Sequence, residues 1–231
     1  MRSRAKGRPG GSGRFILFCA RAGCVDGQAP LGDLILDSAG NLYGNTSLGG
    51  SMGGGVVFEL SPTDRKNRWK ETVVYNFCQL SACADGARPL GALLIDGTGT
   101  LFGTTAEPGD EGLVYKLMPD GKNSQETVLH AFSTPVNGYT PLAGLIMDET
   151  GTLFGTTAFG GTSGATAGTV FMLGGTEHTE HTVLYNFCSE ADCSDGDFPE
   201  APVIMDAGGH LYGTTSGGVG NTRGTVFELS P

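Results

Sequence analysis

The sequence predicts an all-β fold, a β-propeller of four blades with four antiparallel strands each, and three observations lead there. One pattern recurs four times along 231 residues; each full copy holds four short apolar runs; and no segment carries ten residues of helical periodicity. In register on the aspartate that ends the first run, the copies place Asp37, Asp96, Asp148 and Asp206 together, spaced 59, 52 and 58 residues apart. Four short strands per period of about fifty residues is the mark of a propeller blade.

The runs follow a fixed order. Pro-initiated segments come first, PLGDLIL (30–36), PLGALLI (89–95), PLAGLIM (141–147) and PEAPVIM (199–205). After the aspartate come NLYGNT (41–46), TLFGTT (100–105), TLFGTT (152–157) and HLYGTT (210–215). A glycine-rich gap leads to GVVFELSP (55–62), GLVYKLMP (112–119), GTVFMLGG (168–175) and GTVFELSP (224–231). The unit closes with ETVVYNFC (71–78), ETVLHAFS (126–133) and HTVLYNFC (181–188). Each run is short, β-branched and aromatic, and bounded by Gly, Pro or Asp, as strands are.

The fourth copy lacks its last run, but RFILFC (14–19) precedes the first copy and aligns with VVYNFC. The expectation is a ring closed by completing the last blade with the N-terminal strand, which removes open edges. A larger ring of two chains, or a piece of a longer array, is the alternative. Residues 14–231 then form one propeller domain, and the basic, Gly- and Pro-containing residues 1–13 a disordered tail without the apolar stretch of a secretory signal.

At these residues the chain resembles the bacterial GloVer tandem-repeat family, through a D-x-x-G-x-L-[YF]-G-T-T core followed by a G-x-V-[FY]-x-L strand. The resemblance covers about residues 14–231 and implies a secreted or surface-displayed propeller-like array. It carries no agreed biochemical activity and transfers no catalytic residue.

A net charge of −10 argues against nucleic acid or an anionic membrane as partner and suits a bound cation. No apolar run approaches the roughly 18 residues that span a bilayer. The expected partner is a small-molecule or glycan ligand, and the expected state a monomer. The six cysteines form three like pairs, Cys19/Cys24, Cys78/Cys83 and Cys188/Cys193, and the remaining copy lacks both members. Loss in pairs suggests local disulfides and an oxidising, extracytoplasmic compartment; a zinc site would need two pairs to meet across blades.

Four [D/N]-G turns precede the Pro-initiated strands, at Asp26, Asp85, Asn137 and Asp195. Around a closed ring they form a four-fold set of oxygens that suits Ca2+, with Asp197 nearby; the plainer reading is that Asp and Asn before Gly make turns. Two acids break the inner-strand pattern. Asp33 stands where other copies have Ala92, Gly144 and Pro202, and Glu200 where they have Leu31, Leu90 and Leu142. If blades one and four meet, Asp33 and Glu200 share the tunnel as candidate catalytic residues for metal-assisted hydrolysis of a small ester or lactone. A non-catalytic glycan- or peptide-binding propeller and a structural piece of a longer array are the alternatives. The aspartates at 37, 96, 148 and 206 read as turn formers. His130 replaces an outer-strand Tyr, while His178 and His181 fall in an expected outer loop.

Overall fold

The computed structural model describes residues 15–63, 68–107, 111–120, 124–163, 167–218 and 223–230; the expected tail at 1–13 lies outside them. The first blade is β1 (Ile35–Leu36), β2 (Leu42–Thr46), β3 (Val56–Pro62) and β4 (Trp69–Asn76). The second is β5 (Leu94–Ile95), β6 (Leu101–Thr105), β7 (Leu113–Met118) and β8 (Gln125–Ala131). The third is β9 (Ile146–Met147), β10 (Leu153–Thr157), β11 (Thr169–Gly174) and β12 (Glu180–Asn186). The last is β13 (Ile204–Met205), β14 (Leu211–Thr215) and β15 (Thr225–Leu229). Every pairing is an antiparallel neighbour in chain order, so the chain is an all-β propeller of four blades, each a meander.

The innermost strands are only two residues long, against the seven-residue runs expected. The residues before them give their carbonyls to the neighbouring blade instead of to a strand partner. Asn45 Nδ2 donates to Gly91 O at 2.7 Å, Thr104 Oγ1 to Ala143 O at 2.9 Å and Thr156 Oγ1 to Ala201 O at 3.2 Å. The first polar residue of the N-T or T-T pair in the first three blades is therefore a clasp between blades. The second, Thr46, Thr105, Thr157 or Thr215, bonds the carbonyl two residues on.

Apolar side chains on the two faces of each sheet interlock with those of the next. Tyr43 and Val57 of the first blade pack with Leu93, Leu101 and Tyr115 of the second. Phe102 and Val114 meet Leu145, Leu153 and Phe171, and Phe154 and Val170 meet Val203, Leu211 and Phe227. The Phe that ends each outer strand turns onto the next blade, with ring centroids 5.1 Å apart for Phe77 and Tyr115, 5.3 Å for Phe132 and Phe171, and 5.0 Å for Phe187 and Phe227. Each such buried ring stabilises by roughly 2–3 kcal/mol. The rings also explain the glycine in L-F-G-T-T: a Cβ on Gly155 would stand 2.6 Å from the Phe171 ring that crosses it.

The expected completion of the last blade is not formed. Among the described residues its sheet has three strands, and residues 15–19 belong to no strand. Phe18 sits instead on Phe58 of the first blade, centroids 4.7 Å apart, in the place that Phe77, Phe132 and Phe187 take on their following blades. The segment is thus held against the first blade without forming a strand, while the apolar face of the last blade stays open.

Candidate functional site

The inner segments of all four blades converge on a cavity of about 190 Å³. Leu31, Leu90 and Leu142 line it together with Asp33 and Glu200. Asp33 and Glu200, the two acids singled out in the sequence, both border this cavity. Both are exposed, and neither has a hydrogen-bond or ion-pair partner among the described residues.

The expected oxygen ring has another fate. Asp26 accepts the Ala20 amide at 2.8 Å and the Arg21 amide at 3.3 Å. Asp85 accepts Gln79 N at 2.9 Å, Leu80 N at 3.0 Å and Tyr75 Oη at 3.0 Å. Asp195 repeats the set with Ser189, Glu190 and Tyr185. These carboxylates hold the cysteine loops and lie beside the outer strands that carry Tyr75 and Tyr185, away from the axis. Asn137 ends a short turn, Pro135–Asn137, in the loop without cysteines. Among the described residues no group of three or more His, Cys, Asp or Glu gathers as a metal site, so the four-fold ring is not assembled. Asp197 is buried with Oδ1 unpartnered, and burial, then the charge of Asp195, raises its pKa.

The cysteine pairs are disulfides, Cys19–Cys24, Cys78–Cys83 and Cys188–Cys193. The hairpin aspartates are turn formers as expected: Asp96 Oδ1 accepts Thr98 N at 2.8 Å and Thr100 N at 2.9 Å, and Asp148 bonds Thr150 and Thr152 likewise. Between the first two of these turns a polar cleft of about 440 Å³ is lined by Asp37, Tyr43 and Asp96. Burial, with Glu59 and Asp37 nearby, pushes the Tyr43 hydroxyl up to about 12.

Sequence reasoning missed a titratable seam between outer strands. His181 lies on β12 rather than in a loop, and stacks on His130 of β8 with centroids 4.0 Å apart and planes 7° apart. Both Nε2 atoms are buried and unpartnered. Burial, then His181, lowers the pKa of His130 to about 4, and burial lowers that of His181. One junction earlier the same positions hold Tyr75 and Glu126. Burial, then Asp85, raises Glu126 to about 7, and its Oε1 is buried without a partner. The signal was in the alignment of the copies: where Tyr becomes His130, the residue facing it changes from Glu126 to His181 and the turn residue from Asp85 to Asn137.

The profile of the Gloeobacter/Verrucomicrobia repeat matches residues 72–231, more than half of the chain. The chain belongs to the Gloeobacter/Verrucomicrobia repeat family. No curated protein matches it. Among solved structures, this repeat protein is similar to a putative oxidoreductase (glucose dehydrogenase) from Thermus thermophilus, at 15% identity and a TM-score of 0.49, over 89% of this chain and 62% of that one. It is also similar to the Trypanosoma rangeli sialidase, at 16% identity and a TM-score of 0.44, over 84% of this chain and 30% of the sialidase. A third likeness is to an exo-1,5-α-L-arabinanase from a bovine ruminal metagenomic library, at 12% identity and a TM-score of 0.41, over 85% and 72% of the two chains. The repeat protein thus spans less than two thirds of the first two. Among its described residues no helix is long and apolar enough to cross a membrane.

Proposed function

We propose that this repeat protein works at its axial cavity, where Asp33 and Glu200 act as a pair on a small ligand outside the cytoplasm. One observation carries the reading: the two acids that break the inner-strand pattern line the same cavity and have no other partner among the described residues. Unengaged carboxylates beside a small cavity suit hydrolysis of a small ester or lactone, one of them acting as general base on water. A calcium ion between them would polarise the carbonyl and help ionise the water. Two carboxylates supply at most about four of the six to eight oxygens that Ca2+ takes, so water or ligand completes the shell and a Kd on the order of 10⁻⁴–10⁻³ M is expected. The three disulfides support the extracytoplasmic setting.

A second reading, non-catalytic binding of a glycan or peptide, is favoured by the rest of the lining. Apart from the two acids it is Leu, Gly, Ala and Pro, with no hydroxyl, thiol or imidazole among the described residues.

Calorimetric titration of metal-stripped protein with Ca2+, beside an ester and lactone panel, tests both. Hydrolysis expects saturable binding and turnover that chelator, Asp33→Asn or Glu200→Gln each remove. Ligand binding without turnover leaves the second reading, and unchanged binding in both variants overturns the axial site altogether.

A further inference from the structure

The three junctions between blades are built alike, and the structure holds the two halves of a fourth that do not meet. At each formed junction a clasp from the second strand reaches the next blade's inner carbonyl, as described for Asn45, Thr104 and Thr156. A backbone bond also crosses: Arg88 N to Gly54 O at 2.8 Å, Thr140 N to Glu111 O at 2.9 Å and Phe198 N to Ala167 O at 3.1 Å. A proline ring covers a glycine of the preceding blade, and a Cβ added to Gly55, Gly112 or Gly168 would stand 2.9, 2.7 or 2.5 Å from Pro89, Pro141 or Pro199.

In repeat register, the leading half of a fourth junction is Thr214, Ile204, Tyr212 and Val226 on the last blade. The receiving half is Gly32, Pro30, Leu34, Leu42 and Phe58 on the first. Thr214 is exposed, whereas its counterparts Asn45, Thr104 and Thr156 are buried. Val226 is 81% exposed and its counterparts Val57, Val114 and Val170 are 0%. Leu34 is 51% exposed, against 4% for Leu93, 6% for Leu145 and 1% for Val203. An apolar pocket of about 400 Å³ opens on the receiving face, lined by Phe18, Leu34, Leu42, Phe58 and Leu60 among others. In the formed junctions such a pocket is filled by the counterparts of Ile204, Tyr212 and Val226.

We propose that a second copy of this chain covers these faces head to tail, the last blade of one copy docking on the first blade of the next. Residues 15–18, already seated on the receiving face through Phe18 and with Phe15 86% exposed, become a fourth strand beside β15 of the partner. Thr214 then donates to the partner's inner carbonyl at Gly32, as its three counterparts do. A bond of this kind joins unlike faces, so copies close into a ring or continue as a chain. On this proposal the chain forms a concentration-dependent assembly rather than the expected monomer, and its seam reaches the axial cavity at Gly32.

The test is light scattering on the full chain over a wide concentration range, with two variants. Val226→Asp blocks the leading face and Leu34→Asp the receiving face. Each puts an unpaired carboxylate into an apolar contact and is expected to weaken self-association roughly 100-fold, while both stay folded by circular dichroism because each site is exposed in the single copy. Mixed together, the two variants are expected to form a 1:1 dimer and stop there, since each retains one complementary face. A photocrosslinker at position 15 in an isotopically mixed wild-type sample is expected to capture residues 223–230 of the other isotope. A wild-type monomer at every concentration, a Val226→Asp variant that still associates, a mixture that stays monomeric, or capture only within one copy each overturns the proposal.

Discussion

Replacing Glu126 by Gln should raise stability at neutral pH and, at the same time, make it fall on acidification. In the folded chain burial and Asp85 raise Glu126 to about 7 from an ordinary 4.5. A raised acid favours the folded state below about pH 4.5, and that contribution is lost as pH rises towards 7. His130 runs the other way. Held at about 4 against an ordinary 6.5, it contributes stability above pH 6.5 that is lost as pH falls towards 4, and His181 shifts in the same sense. Across pH 4.5–6.5 the two junctions therefore oppose each other, and each variant leaves the other junction's slope uncompensated. A shift of this size corresponds to about 3 kcal/mol in full, and partial solvent access at both sites reduces it to about 1–2 kcal/mol. Glu126→Gln removes one side of the balance. At pH 7 it should gain about 1–2 kcal/mol, a rise in Tm of about 3–6 °C for a chain of this length, and lose that gain by pH 4.5. His130→Phe, which keeps a ring in the stack, should show the mirror slope, most stable at the acid end. Thermal melts at half-unit pH steps read both. Parallel profiles for the wild type and both variants would refute the opposed-junction reasoning.

Thr104→Val removes the clasp to Ala143 O and leaves a buried carbonyl unpaired, so urea unfolding should show a loss of about 1–2 kcal/mol. The same change at exposed Thr214 should leave the stability of the single copy unchanged. Gly138→Ala forces a side chain onto a residue with φ of +83° and against Thr157 Oγ1, and should cost about 1–3 kcal/mol by the same measurement. Reducing the three disulfides should lower Tm while leaving the far-ultraviolet β signal, because the equivalent loop at 133–138 holds its turn without cysteines. Asp33→Asn and Glu200→Gln, both exposed at the axis, should leave Tm within about 1 °C of wild type while ligand or metal binding is lost, as titration and melts together will show.

Much of this architecture was legible in sequence because a repeat states its own register. Strand order, the hairpin aspartates, the Phe that ends each outer strand and the local disulfides all depend on residues close in the chain, and three or four copies fix each of them independently. That Asp33 and Glu200 stand out of pattern was also readable, since both occupy positions where the other copies keep apolar or small residues. What a repeat cannot state is whether its ends meet. Residues 14–19 match an outer strand perfectly well, but joining them to β15 depends on how the small rotation at each junction accumulates over four blades, and in this fold Phe18 binds Phe58 while Val226 stays exposed. Nor does a turn motif state which way its carboxylate faces. Asp26, Asp85 and Asp195 find loop amides within a few residues of themselves, and short-range bonds of that kind win over a ring of charges that would have to be brought together across four blades. The facing of His130 on His181 and of Glu126 on Asp85 belongs to the tertiary structure for the same reason: the residues are far apart in the chain, and only the stacking of one sheet on the next makes them neighbours.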